Sequence, residues 1–240
     1  MPNRAAIVTG ASRGIGRALA EALAADGYDL TITARKPETI EEAAEALRAS
    51  GASVEFVTGN LGDEAVIQEV VRAHRDRYGR LDVLVNNAGL GIGGGVGEQP
   101  TKHVDLMLGV NLRSMVLFYR ESLDLLKVAG AEHRGALVVN MASIAGKEPP
   151  AWLAVYGATK AAVIAYTRSM NKELNGEGIK SVAFCPGFVD TDMTEFVRGQ
   201  VAQDDMIKPT DIAEALRFVL RLTPACVVPE IIFSRPGEPF

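Results

Sequence analysis

Tyr156 and Lys160 stand four residues apart in a stretch, residues 152–174, whose pattern predicts a helix. At that spacing two side chains share a helix face. A free phenol titrates near ~10, too high for easy proton exchange at neutral pH. A nearby ammonium favours the phenolate and lowers that value. Tyr156 then serves as general acid in a reduction, or as base in an oxidation. Ser143, thirteen residues earlier at the end of a predicted strand, can donate a hydrogen bond to an oxygen that gathers charge. Each residue also has a plainer reading. A helical Tyr is commonly a packing residue with a satisfied hydroxyl, and a Ser after a strand is commonly a turn residue.

A second constellation lies near the start of the chain. An apolar run, residues 5–8, leads into Thr9-Gly10-Ala11-Ser12-Arg13-Gly14-Ile15-Gly16, and a helical pattern follows. Gly10 lets the chain turn sharply. Gly14 and Gly16 let backbone approach a pyrophosphate and let helix pack on strand. The helix N-terminus offers free N–H groups and the positive end of a dipole to that anion. A glycine loop can also be a plain turn, so its place between first strand and first helix carries the weight. Gly89-Leu90-Gly91-Ile92-Gly93-Gly94 matches a similar spacing. There Gly95, Gly97 and Pro100 delay the next helix, so we read an active-site loop and not a second phosphate cradle.

The end of the second predicted strand discriminates between dinucleotides. An acid there would bond the ribose 2′-OH of NAD, whereas an Arg accommodates the 2′-phosphate of NADP. Ala34 is followed by Arg35 and Lys36, and Arg13 lies in the glycine loop. Three cations and no acid point to NADP(H). The alternative is a solvated basic turn.

The elements that must hold these residues follow from periodicity. Strands are expected at residues 5–8, 30–34, 54–57, 81–85, 136–140, 181–185 and 227–233. Ala18, Leu19, Ala22 and Leu23 recur at helical spacing before Gly27. Helices are also expected over 37–49, stopped by Gly51, and over a segment N-capped by Asp63 and closed by Gly79. Three more cover 101–128, 152–174 and 210–220. Alternation from end to end predicts one α/β domain over residues 1–240, a Rossmann-type doubly wound parallel sheet of about seven strands. Ligands bind such sheets at the carboxyl ends of the strands.

Composition excludes several classes. The chain is 48% hydrophobic and 23% charged, unlike a disordered polymer. A net charge of −5 gives no sign of broad nucleic-acid binding. Cys185 and Cys226 do not make a disulfide scaffold, and His74, His103 and His133 lack metal-ligand spacing. No secretory signal or 18-residue apolar run is visible, so the expected compartment is the cytoplasm, without a membrane partner.

Taken together, TGASRGIG, LVNNAG at residues 84–89, Asn111, Ser143, Tyr156-Gly-Ala-Thr-Lys160 and Pro186-Gly187 occur in an order that resembles the short-chain dehydrogenase/reductase family. The likeness is to its compact form, similar to 3-oxoacyl-(acyl carrier protein) reductases and related carbonyl reductases, and runs from about residue 4 to 220. It implies that Lys160 also holds the nicotinamide ribose. It implies that Asn111 keeps a helix bend and a water relaying protons to Lys160. Asn87, Ala88 and Gly89 would line the cofactor, and Pro186, Gly187, Val189 and Thr191 would flank the nicotinamide. At the third strand end the family commonly has Asp before Val or Leu to bind adenine. Asn60-Leu61 stands here, which keeps an acceptor oxygen and loses the charge. The C-terminus lacks the Gly-rich segment that builds a tetramer in many members. The expected assembly is a homodimer through residues 101–128 and 152–174, or a homotetramer.

Leu90, Ile92, Pro149, Trp152, Phe188, Met193, Phe196 and Met206 are expected to line the substrate pocket, with residues 190–208 as a mobile lid. An apolar ketone or acyl chain suits them better than a free sugar. The alternative is that several of them pack the lid itself. Three functions stay open: an NADP(H)-dependent carbonyl or 3-oxoacyl thioester reductase; a dehydrogenase of alcohols, steroids or polyols; and a cofactor-binding module without turnover. The intact Ser143, Tyr156 and Lys160 speak against the last.

Overall fold

Ala5–Thr9 and Ala136–Met141 are buried at every position. A strand with one wet face would expose every second residue, so such runs call for a sheet covered on both sides. The structure, a computed structural model, describes residues 3–199 and 201–237. Its strands are β1 (Ala5–Thr9), β2 (Asp29–Ala34), β3 (Val54–Thr58), β4 (Val83–Asn86), β5 (Ala136–Met141), β6 (Ile179–Pro186) and β7 (Glu230–Phe233). They form one parallel sheet in the order β3-β2-β1-β4-β5-β6-β7. The helices are α1 (Gly14–Ala25), α2 (Pro37–Ala49), α3 (Glu64–Tyr78), α4 (Thr101–Leu108), α5 (Ser114–His133), α6 (Ala154–Leu174) and α7 (Pro209–Leu220).

Leu19, Leu23, Ile40, Leu47 and Leu216 bring α1, α2 and α7 onto one face of the sheet. Ile67, Val70, Phe118, Leu126 and Val163 bring α3, α5 and α6 onto the other. Each such side chain contributes about 1.5–3 kcal/mol by leaving water. The strand order reverses between β1 and β4, so a crevice opens outside their carboxyl ends. The loops after β1, β4, β5 and β6 meet there.

The expected single α/β domain is what the structure contains, with local differences. The helix expected over 101–128 is interrupted by a π turn, Gly109–Arg113, that contains Asn111. It also runs on to His133. Gly130, a poor helix former, is retained because a Cβ there would lie 2.4 Å from Glu177 O. The last strand starts at Glu230 rather than 227, since Pro229 has no N–H to give the ladder. Residues 151–153 form a 3-10 turn after Pro149-Pro150, and α6 begins at Ala154. Asp63 and Gly79 cap α3 as expected: Asp63 Oδ1 accepts from Ala65 N at 3.0 Å, and Gly79 adopts φ 66°. No helix among the described residues is long and apolar enough to cross a membrane.

Candidate active site

The glycine loop is held tightly to its neighbours. Gly10 N and Ala11 N donate to Thr33 O, which ties the loop to β2. A Cβ at Gly16 would lie 2.2 Å from Gly10 O, so only glycine lets the first turn of α1 pack there. Gly10 adopts φ 66° and Gly14 φ 56°, a region that favours glycine. The first N–H groups of α1 have no partner within the helix, as at any helix start. Arg13 precedes them in extended conformation, and no side chain caps them. Ser12 and Ile15 are partly exposed beside them, and Arg35 and Lys36 are exposed at the end of β2. Open N–H groups, glycines without room for a Cβ and nearby cations fit a dinucleotide phosphate.

Asn87 builds this cradle more than it faces into it. Its Nδ2 donates to Thr9 O at 2.9 Å and to Gly10 O at 3.2 Å. Thr9 Oγ1 accepts from Asn87 N and Ala88 N, each at 2.9 Å. Thr9 was not among the expected site residues, yet it joins β1 to the loop after β4. Its signal was a hydroxyl at the end of a buried apolar strand. Three other expected contacts are narrower than the resemblance implies. Leu61 and Val189 are buried among core side chains, so a ligand could meet only their backbone, and the Val189 carbonyl already accepts from Thr194 Oγ1 at 2.5 Å. Asn60 Oδ1 already accepts from Gly62 N at 3.1 Å.

Ser143, Tyr156 and Lys160 meet at the carboxyl edge. Ser143 follows β5 and caps a 3-10 turn, Ile144–Gly146: its Oγ accepts from Ala145 N at 3.1 Å and donates to Pro186 O at 3.4 Å. Lys160 is 3% exposed, and its Nζ donates to Met141 O at 2.6 Å while lying 5.7 Å from the Tyr156 ring centroid. Burial pushes this ammonium down to about 8, against a small opposing pull from Cys185. The Tyr156 phenol departs from expectation. Burial raises it, and hydrogen bonding to Ser143 works the other way without prevailing. Lys160 gives one of its three donors to Met141 O, and burial prevails at the phenol, so the lowering expected from their spacing is not what this arrangement produces.

Asn111 joins the group from its π turn. Its Oδ1 accepts from Leu90 N at 2.9 Å, and its Nδ2 donates to Leu90 O at 2.9 Å and Thr159 Oγ1 at 3.1 Å. Thr159 is a second residue that the sequence did not single out. Gly89 lies between the two functional helices: a Cβ there would be 3.4 Å from both Asn111 Oδ1 and Lys160 Nζ. Gly91 backs onto the Tyr156 ring, at 3.6 Å from Cδ2 by the same measure. Gly187 N donates to Phe233 O at 2.8 Å, which anchors the Pro186-Gly187 turn to β7.

Aromatic side chains cluster where the substrate entrance is expected. Trp152 and Phe196 meet edge to face at 5.6 Å, and Phe188 and Phe196 at 6.4 Å. Trp152 packs on Gly93 and its carbonyl accepts from Gly94 N at 2.9 Å. Leu90 and Ile92 are partly exposed on the same loop, and Met193 is exposed on the lid. Met206 is not at the entrance. It is buried with Val197 and Val201 in a small core of the lid's own. Pro149 packs against Gly157 of α6. The lid carries a 3-10 turn, Asp192–Val197, capped by Thr191. Asp192 pairs with Arg13 across the site. Nothing local in the sequence points to that pair.

The family model described as short chain dehydrogenase matches residues 4–202. A putative ketoacyl reductase of the monensin polyketide synthase from Streptomyces virginiae is 38% identical over 197 residues, covering 82% of this chain and 74% of the relative. The solved structure of an alcohol dehydrogenase from the archaeon Thermococcus sibiricus, complexed with 5-hydroxy-NADP, superposes with a TM-score of 0.87 at 31% identity, over 98% of this chain and 99% of that one. A 3-oxoacyl-[acyl-carrier protein] reductase from Brucella melitensis in complex with NAD gives a TM-score of 0.88 at 26% identity, over 99% and 97%. With its seven parallel strands and its crevice at the reversal of strand order, the chain is an oxidoreductase of the short-chain dehydrogenase family.

Proposed function

We propose that the chain is an NADP(H)-dependent carbonyl reductase acting on an apolar ketone or a 3-oxoacyl thioester. The observation that supports it most is the convergence of Ser143, Tyr156 and Lys160 at the crevice. Placed there, the phenol can give its proton to a carbonyl oxygen as hydride arrives.

The N–H groups of Ser12 to Gly16 would hold the pyrophosphate, with Gly10 allowing the turn. Arg35 and Arg13 would take the 2′-phosphate, Asn60 and the Leu61 backbone the adenine, and Ala88, Gly89 and Lys160 the ribose. Pro186, Gly187, the Val189 backbone and Thr191 would lie against the nicotinamide. The cofactor, when bound, supplies the hydride. Ser143 orients the substrate oxygen and steadies its growing negative charge with a hydroxyl hydrogen bond. Tyr156 gives that oxygen its proton, so a ketone leaves as an alcohol. Lys160 is positioned to replace the lost proton, directly or through a relay that includes Asn111. Its ammonium titrates near 8, which keeps it exchangeable. Trp152, Phe188 and Phe196 exclude water from the apolar part of the substrate, with Leu90, Ile92 and Met193 beside them. For assembly, we read a homodimer through α4–α5 and α6, where Leu108 and Val128 are exposed.

The test is nicotinamide absorbance over a panel of acetoacetyl thioesters, apolar cyclic diketones and sugars, with NADPH and then NADH. NADPH-dependent turnover of the apolar members, lost preferentially with NADPH in Arg35→Ala, is the expected result. A preference for sugars, or an equal loss with the two cofactors, would overturn the substrate class or the role of Arg35.

A further inference from the structure

Arg13 and Arg35 are the cations that the cofactor reading assigns to the 2′-phosphate, but they are not equally free. Arg35 is exposed and makes no ion pair with a described residue. The Arg13 guanidinium donates through Nη1 to Asp192 Oδ2. Asp192 is the first residue of the 3-10 turn whose Phe196 packs on Trp152. One end of this short turn therefore touches a cofactor cation, and the other touches the substrate wall. The contact between loop and lid extends beyond the ion pair: a Cβ at Gly14 would lie 3.1 Å from Thr191 Cγ2. The neighbouring acid Asp190 is held elsewhere, by Gln203 at 3.0 Å and Lys208 at 3.3 Å.

We propose that Asp192 is a specificity-determining residue for the cofactor: its carboxylate competes with the 2′-phosphate for Arg13, and its displacement reports the phosphate to the lid. This rests on the NADP(H) reading. Two anions cannot use the same Arg13 donors at once. A cofactor bearing the 2′-phosphate competes with Asp192 for the Nη1 donor and the charge of Arg13, whereas NAD leaves the pair intact. The first residue of the lid turn is then untied in one complex and tied in the other. The substrate wall at Phe196 and Trp152 responds to which cofactor is bound. The pair is exposed, with the two side chains 70% and 59% accessible, so its hold is modest.

Calorimetric titration of NADP+ and NAD+ into the wild type, Asp192→Asn, Arg13→Ala and the double variant tests this directly. Asp192→Asn should tighten NADP+ by about two- to fivefold, as expected for loss of an exposed competitor, and leave NAD+ unchanged. In the Arg13→Ala background the same substitution should have no effect. Trp152 is the one tryptophan of the chain, so its emission reads the lid without turnover. NADP+ should change that emission more than NAD+ does, and Asp192→Asn should remove the difference. The inference is overturned if Asp192→Asn shifts the two cofactors equally or neither, or if its effect survives Arg13→Ala. A wild type with no preference for NADP+ would instead sink the cofactor reading. A clear NADP+ preference that ignores Asp192 would leave that reading standing and remove this one.

Discussion

Asp82 and Lys160 are buried charges at opposite edges of one sheet, 2% and 3% exposed. Asp82, at the amino edge, is fully engaged. Its Oδ2 accepts from Ala5 N and Arg80 Nε at 2.9 Å each, and its Oδ1 accepts from Arg80 Nη2 at 2.7 Å and faces His133 Nε2 at 2.8 Å. Burial alone would raise its carboxyl, and Arg80, His133 and the Ala5 N–H together hold it below the usual range. Lys160, at the carboxyl edge, has three donors and one acceptor, Met141 O. A buried charge is expensive unless paired. The saturated one ties β1, β4 and α5 together. The unsaturated one keeps capacity for a ligand, which is why perturbed groups of this kind mark functional sites.

Removing Asp82 should have the largest effect on the fold. Asp82→Ala leaves Arg80 buried without its main partner and should cost about 3–5 kcal/mol in denaturant unfolding. The lowered carboxyl contributes stability that is present above the ordinary Asp value, ~3.9, and is lost as pH falls through the folded value. The variant should therefore show a flatter acid limb. Turnover measured well below its melting temperature should stay near wild type. If it collapses there, the separation of the two edges is wrong.

Ser143→Ala should do the reverse. Turnover should fall about 10²–10³-fold, the scale of one donor to a developing oxyanion. Melting should move little, since the cap to Ala145 N and the long hydrogen bond to Pro186 O are what is lost, together worth about 1 kcal/mol. A large loss of stability with intact turnover would make Ser143 a turn residue.

Lys160→Met sharpens the contrast most, because its effects on stability and on turnover have opposite signs. Folding lowers this ammonium from 10.5 to about 8. Between those values the unfolded chain binds the extra proton, so stability rises with pH across that window, and the penalty stands in full at neutral pH. Met removes the charge and keeps much of the volume. Thermal melts should show a gain on the order of 1 kcal/mol at pH 7, shrinking by pH 10, together with lost turnover. Destabilisation at pH 7 would mean that the ammonium is better satisfied than its single acceptor indicates.

The parts legible in the sequence are those decided by local chemistry. Strand–helix alternation, Gly10, Gly14 and Gly16, and the Tyr156–Lys160 spacing each depend on a few adjacent residues. What escaped depends on contacts between distant ones. Spacing places the Lys160 ammonium near Tyr156, but it cannot show that Met141 O claims it. Thr9 works only because the loop after β4 lies beside β1. Arg13 and Asp192 are 179 residues apart, and no periodicity links them. Met206 carries the same apolar signal as Phe196, yet one fills the lid's core and the other lies 58% exposed at the entrance.

The most direct test of the catalytic account is Tyr156→Phe, assayed by NADPH absorbance with the best ketone of the panel and by calorimetry with NADP+. The phenyl ring is kept and only the hydroxyl is lost. Turnover should drop by about 10²–10⁴-fold while the NADP+ dissociation constant stays within about twofold, the scale of a lost general acid. Turnover equal to wild type would contradict the assignment of Tyr156 as the proton donor.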